Sequence, residues 1–200
     1  MMLIFQVLLL ASCQQVAKDS AANQKEESTI DSLTSKDKTL LAEENYASNN
    51  YAEIGWELMQ KEGFGALKLG MVNTALIKLL GSPDSISPEV FWGADGAYHS
   101  HWIYTEKGIR VGLSRIGDDA SENALKMMDR ISIYAPCELT TERGIGLNAS
   151  IADVKQAYKK AIESTELEDD YLVAGSVYGG LIFKFKNDRV EEIFLGARAE

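Results

Sequence analysis

The strongest constraint on this chain is an internal repeat. The segment LKLGMVNTALIKLL, Leu67 to Leu80, aligns with IGLNASIADVKQAY, Ile145 to Tyr158. Leu67 meets Ile145, Leu69 meets Leu147, Leu76 meets Val154 and Leu80 meets Tyr158. Each copy reads as an extended apolar pair, a turn and an amphipathic helix. In the second copy Ser150 stands three residues before Asp153, a capping-box spacing with Asp in place of the usual Glu. Ile151, Val154, Tyr158 and Ile162 continue along one stripe, whereas Gly81-Ser82-Pro83 ends the helix of the first copy.

Strand patterns follow each helix. In the first copy they cover about Val90 to Trp92, Tyr98 to Thr105, Gly108 to Ser114 and Arg130 to Ala135. In the second they cover about Tyr171 to Tyr178, Gly180 to Lys186 and Arg189 to Leu195. Ile109, Val111 and Leu113 alternate with Arg110, Gly112 and Ser114, the period of a half-buried antiparallel strand. Lys186-Asn187-Asp188 and Tyr178-Gly179-Gly180 carry turn chemistry. Asp129-Arg130-Ile131 echoes Asp188-Arg189-Val190 at the start of each last strand. The expected fold is α+β: two tandem repeats, about 64–137 and 138–200, each a short helical element plus an antiparallel β-meander, with the helices on one face of the sheet. A further helix begins near Tyr51, with Tyr51, Ile54 and Leu58 at helical spacing and Gly63 as its stop. Within it, Gly55 costs about 1 kcal/mol relative to Ala.

Composition narrows the function classes. Of 200 residues, 46% are hydrophobic and 25% charged, the balance of a soluble globular chain. Lys+Arg number 20 against 30 Asp+Glu, and a net charge of −10 argues against a nucleic-acid partner. Two cysteines are too few for a disulfide scaffold or a four-cysteine zinc site.

Residues 1–12, MMLIFQVLLLAS, contain no charged side chain. As a helix they reach about 18 Å, too short for a membrane core of about 30 Å, and they fit the apolar region of a secretory signal peptide. They carry no Lys or Arg, so either the chain starts further upstream or the free amino terminus supplies the positive charge. Leu10-Ala11-Ser12-Cys13 resembles the lipobox of bacterial lipoproteins. That resemblance implies cleavage before Cys13, diacylation of its sulfur and anchoring in a membrane, since two acyl chains suffice for stable attachment. Gln14, where Asp would retain an enteric lipoprotein in the inner membrane, resembles an outer-membrane-directed protein facing the periplasm. Residues 13–50 are polar, lack a sustained apolar period and read as a disordered tether, with an r.m.s. reach of roughly 33 Å. Residues 51–200 then form the globular domain.

Leu69-Gly70-Met71, a short helix, and Leu80-Gly81-Ser82-Pro83-Asp84 are similar to the opening of modules in the β-lactamase-inhibitor-protein-like group. The small lipoprotein of the outer-membrane barrel-assembly machine uses the same module, and the tandem arrangement looks more like the inhibitor. The resemblance covers about Gly65 to Glu200. It implies a helical layer against one face of an antiparallel sheet, the other face free, and a protein that binds an envelope protein and is not an enzyme. The inhibitor's disulfides do not transfer, because Cys137 has no partner once Cys13 is lipidated, and neither does inhibition of β-lactamase.

The densest chemistry lies between Phe91 and Tyr104, which holds two of the three tryptophans and both histidines. Asp95-Gly96 signals a hairpin turn. On the following strand Tyr98, Ser100, Trp102 and Tyr104 share one face, and His99, His101 and Ile103 the other. Tyr98 and Trp102 suit a core with their polar tips at its edge. Trp92, Asp95, Tyr98, His99, His101, Trp102 and Tyr104 also suit a partner-binding surface, since interface hot spots favour Trp and Tyr. A second reading is a small-ligand or metal site on His99 and His101, about 7 Å apart on one face, with no third ligand identified. Cys137 reads as a buried thiol. No nucleophile elbow, P-loop, dinucleotide fingerprint or EF-hand loop is present in the sequence, and no cofactor is implied.

Overall fold

The computed structural model describes residues 50–117, 124–162 and 170–198. The signal segment, Cys13 and nearly all of the tether lie outside these residues. Helix α1 covers 50–61, α2 Asn73–Leu80 and α3 Ile151–Tyr158. The strands are β1 Ser85–Ile86, β2 Val90–Trp92, β3 Ala97–Tyr104, β4 Ile109–Ile116, β5 Met127–Tyr134, β6 Tyr171–Ser176, β7 Gly179–Lys186 and β8 Arg189–Gly196. They build one antiparallel α+β sheet in the order β1-β3-β4-β5-β8-β7-β6, with β2 also paired to β3. Among the described residues, no helix is long and apolar enough to cross a membrane.

Local chemistry sets the element ends. Ser150 Oγ accepts the Asp153 N–H at 3.1 Å, and the Asp153 carboxylate accepts the Ser150 N–H at 2.9 Å, closing the expected capping box. Gly81 stands at φ 84° and its N–H donates to Ile77 O at 2.8 Å, which ends α2. The stripe in the second copy does not stay helical as far as Ile162. The Ala161 carbonyl accepts the Gly175 N–H at 2.8 Å, and Ile162 forms a bridge with Ala174, so the edge strand captures the chain after Tyr158. The β7–β8 hairpin turns on Asn187 and Asp188, at φ 51° and 59°, the pair of left-handed residues that a two-residue turn demands. The β6–β7 turn falls on Val177 and Tyr178, earlier than the glycine pair suggested. Ser176 Oγ accepts the Tyr178 N–H at 3.2 Å, and Gly179 and Gly180 open β7.

Strand alternation separates two faces. Trp102, Tyr104, Val111, Leu113, Ile131, Ile133, Phe183 and Ile193 point into a core that also takes Leu58, Leu76, Val154 and Tyr158 from the three helices. Each such side chain contributes about 1.5–3 kcal/mol on full burial. One linkage occurs twice. Gly70 N–H donates to Met128 O at 2.7 Å and Met128 N–H to Met71 O at 2.8 Å; Asn148 N–H donates to Val190 O at 2.9 Å and Val190 N–H to Ala149 O at 3.0 Å. Gly70 and Asn148 both sit at positive φ, 84° and 65°, and are spaced as Leu67 and Ile145 are. Met128 and Val190 hold the same place in the two linkages, and Asp129-Arg130 follows the first whereas Asp188-Arg189 precedes the second.

Candidate functional site

The turn between β2 and β3 ties the expected site residues into a cluster. Asp95 Oδ1 accepts the Ala97 N–H at 3.0 Å, and Asp95 Oδ2 lies 2.8 Å from His99 Nε2. The Ala97 N–H first, and the imidazole after it, hold the Asp95 carboxyl below the usual carboxylate range. His99 is 5% exposed, and its ring stacks on Trp92 with centroids 3.7 Å apart. Its Nδ1 lies 3.0 Å from Arg130 Nη2 and 3.1 Å from Asp129 Oδ2. With Nε2 protonated, the ring donates to Asp95 and accepts from Arg130 at Nδ1. The Arg130 guanidinium lies 4.3 Å from the Trp92 ring centroid, and Nε donates to Asp129 Oδ1 at 3.0 Å. Gly112 makes room for it: a Cβ there would stand 2.2 Å from Arg130 Cγ.

Beyond this cluster the second sheet face carries a depression of about 290 Å³. Its floor includes Ser132, Ile182 and Phe194, and its charged lining comes from Arg110, Arg130, Lys184, Arg198 and Glu192. The strand register brings them together, with Arg110 opposite Ser132, Ser132 opposite Phe194, and Phe194 opposite Ile182. The Arg110 guanidinium lies 5.7 Å from the Tyr134 ring centroid, and that of Arg198 4.9 Å from the Tyr171 ring. The Arg198 N–H donates to Val177 O at 2.9 Å, which fastens the C-terminal stretch beside β6.

The expected residues therefore divide. Trp92, Asp95 and His99 converge with Asp129 and Arg130, and His101 lines the depression. Trp102 and Tyr104, expected among the partner anchors, are 5% and 2% exposed and belong to the core, because their parity on β3 turns them inward. Tyr98 shares that parity at the strand's open end, with the Arg115 guanidinium 4.1 Å from its ring centroid. His99 and His101 share a face as expected, but both ring nitrogens of His99 face protein partners. Among the described residues, no three His, Cys, Asp or Glu side chains group to hold a metal ion. Cys137 is buried, and burial pushes its thiol up, which keeps it protonated and poorly nucleophilic. The site residues that sequence reasoning passed over are Arg110, Asp129, Arg130, Lys184 and Arg198. Their signal was the outward parity of Arg110 and Lys184 on strands whose inward residues are apolar; the stacking of Arg198 on Tyr171 had none. No family model, curated protein or solved structure matches this chain.

Proposed function

We propose that this is a lipid-anchored envelope protein, held by Cys13 and a flexible tether to the periplasmic face of the outer membrane, that acts as a non-catalytic protein-binding module. The binding surface is the sheet face opposite the hydrophobic core. The observation that carries this reading is that face's concavity, rimmed by side chains suited to recognition, with half-buried Trp92 stacked on His99 at the neighbouring strand. The two halves are tandem copies of one helix-plus-meander unit of the inhibitor-like kind, with the helices packed against the core face. The doubled Gly70–Met128 and Asn148–Val190 linkage supports that descent. Arg130 and the His99 cluster stiffen the rim, and a stiff surface loses less entropy on association.

The test is crosslinking in intact cells followed by co-purification, comparing the native chain with Cys13→Ser, Trp92→Ala and His101→Ala. A partner retained by the native chain and lost on Trp92→Ala or His101→Ala, with folding intact, supports the reading. Release from the membrane fraction on Cys13→Ser supports the anchor. A partner held equally by all folded variants, or Cys13→Ser still in the membrane fraction, overturns the corresponding part.

A further inference from the structure

We infer that the depression on the second sheet face is an anion-binding site for a compact ligand bearing two or more carboxylate or phosphate groups. This goes beyond the protein-partner reading and does not depend on it.

The depression differs in charge from the rest of the chain. The chain carries 30 acidic against 20 basic side chains, so its long-range field repels anions. The depression reverses that balance: Arg110, Arg130, Lys184 and Arg198 line it with one carboxylate, Glu192, which stands directly across the strand pair from Lys184, while Arg130 is also paired to Asp129 at 3.0 Å. Lys184 has a second carboxylate nearby, Glu191, at 3.5 Å. Among the described residues, neither Arg110 nor Arg198 has a carboxylate partner.

Its cations are held in place before a ligand arrives. Arg110 and Arg198 are guanidinium groups beside aromatic rings, Tyr134 and Tyr171, at 5.7 and 4.9 Å from the ring centroids, whereas Arg130, 4.3 Å from the Trp92 ring, already engages Asp129 and His99 and adds fixed charge at the rim. Stacking covers the weakly hydrated faces of a guanidinium and leaves its N–H edges to point elsewhere. Those edges match the paired oxygens of a carboxylate or phosphate. A lysine-rich surface holds its charges on mobile stems; these arginines are restrained before any ligand arrives, so binding costs less ordering entropy.

Its size also suits such a ligand. A volume of about 290 Å³ admits a molecule of citrate size, and Ile182 and Phe194 supply an apolar floor on which charge interactions gain strength. Gly112 on β4 gives the Arg130 stem its place beside the depression, because any Cβ there would collide with it.

The experiment titrates the full-length protein in neutral detergent with citrate and with inorganic pyrophosphate, by calorimetry. Acetate and chloride at matched ionic strength are the controls. Saturable binding of citrate or pyrophosphate is expected, weakened roughly tenfold or more by Arg110→Glu and by Arg198→Glu. The distant control Lys107→Glu, which changes net charge equally, leaves the affinity within about twofold. Circular dichroism verifies folding, and Arg110→Gln and Arg198→Gln replace any reversal that fails to fold. A preference for one probe assigns the head group. Absence of binding above the acetate control, or an equal loss in Lys107→Glu, overturns the proposal. A chain that captures no protein partner still gives this titration, so the two readings fail separately.

Discussion

Replacing Gly55 by Ala tests the packing of α1 against the sheet. Helix propensity alone favours the change by about 1 kcal/mol. In the fold, however, a Cβ at position 55 would stand 1.9 Å from the Gly179 carbonyl oxygen and 2.8 Å from its carbonyl carbon. That obstacle is backbone and cannot rotate away. Restoring an ordinary contact of 3.4 Å requires α1 to retreat by about 1.5 Å. Overpacking of this kind costs about 1–3 kcal/mol. The retreat also lifts Leu58, now 3% exposed, out of a site where full burial contributes about 1.5–3 kcal/mol. The structural costs exceed the propensity gain, and a net loss of about 1–3 kcal/mol is expected, or a fall in Tm of about 3–10 °C. Guanidinium denaturation followed by circular dichroism measures it. Gly179→Ala provides the contrast: its Cβ would meet the tip of Met59 at 3.3 Å, where a flexible thioether can yield, and the Gly55 backbone at an ordinary 3.9 Å. A Gly55→Ala protein as stable as the native chain, or a Gly179→Ala protein that loses more, would refute this reasoning.

Three further outcomes follow from the same structure. Trp102→Ala should destabilise by about 3–5 kcal/mol in thermal or chemical melts, because the ring is core and not surface; a loss under about 1 kcal/mol would contradict that placement. Ser150→Ala should cost about 1 kcal/mol in the same melts by opening the capping box of α3, and an unchanged midpoint would show the cap to be idle. Glu89 accepts Arg115 Nη2 at 2.7 Å and Lys126 Nζ at 2.7 Å, and the Arg115 hydrogen bond foremost holds its carboxyl below the ordinary value of 4.5. Its folded value is lowered, so its contribution is fully present above pH 4.5 and fades as pH falls through the lower folded value. Glu89→Gln should therefore be less stable than the native chain at pH 7 by about 1–2 kcal/mol, with the gap closing on acidification; a gap that persists unchanged at pH 2–3 would refute the linkage.

The arrangement of the sheet leaves one of its faces to charged side chains. The core face takes its rigidity from close-packed apolar side chains, so the opposite face can spend its residues on charge without losing the fold. Arg110 and Arg130 occupy outward positions on strands whose inward neighbours are Ile109, Val111, Ile131 and Ile133. The same parity that buries Trp102 and Tyr104 presents His99 and His101 to the other side.

What the sequence determines here is local. Alternation on β3 and β4, the Ser150–Asp153 cap, the Gly81 stop and the Asn187-Asp188 turn each depend on residues within a few positions of one another, and each was legible because its physics is a matter of short-range sterics and hydrogen bonding. The strand edges and β1 were less so, since Ser85–Ile86 forms only where β3 offers a partner. What only the tertiary structure decides is which distant residues meet. Arg130 reaches His99 and Trp92, Arg198 lies on Tyr171, and Gly55 touches Gly179 through pairings that span tens to more than a hundred positions. Those encounters are set by strand order and register, which no local period encodes. The charge of Arg110 and the smallness of Gly55 therefore acquire their meaning only when the sheet assembles.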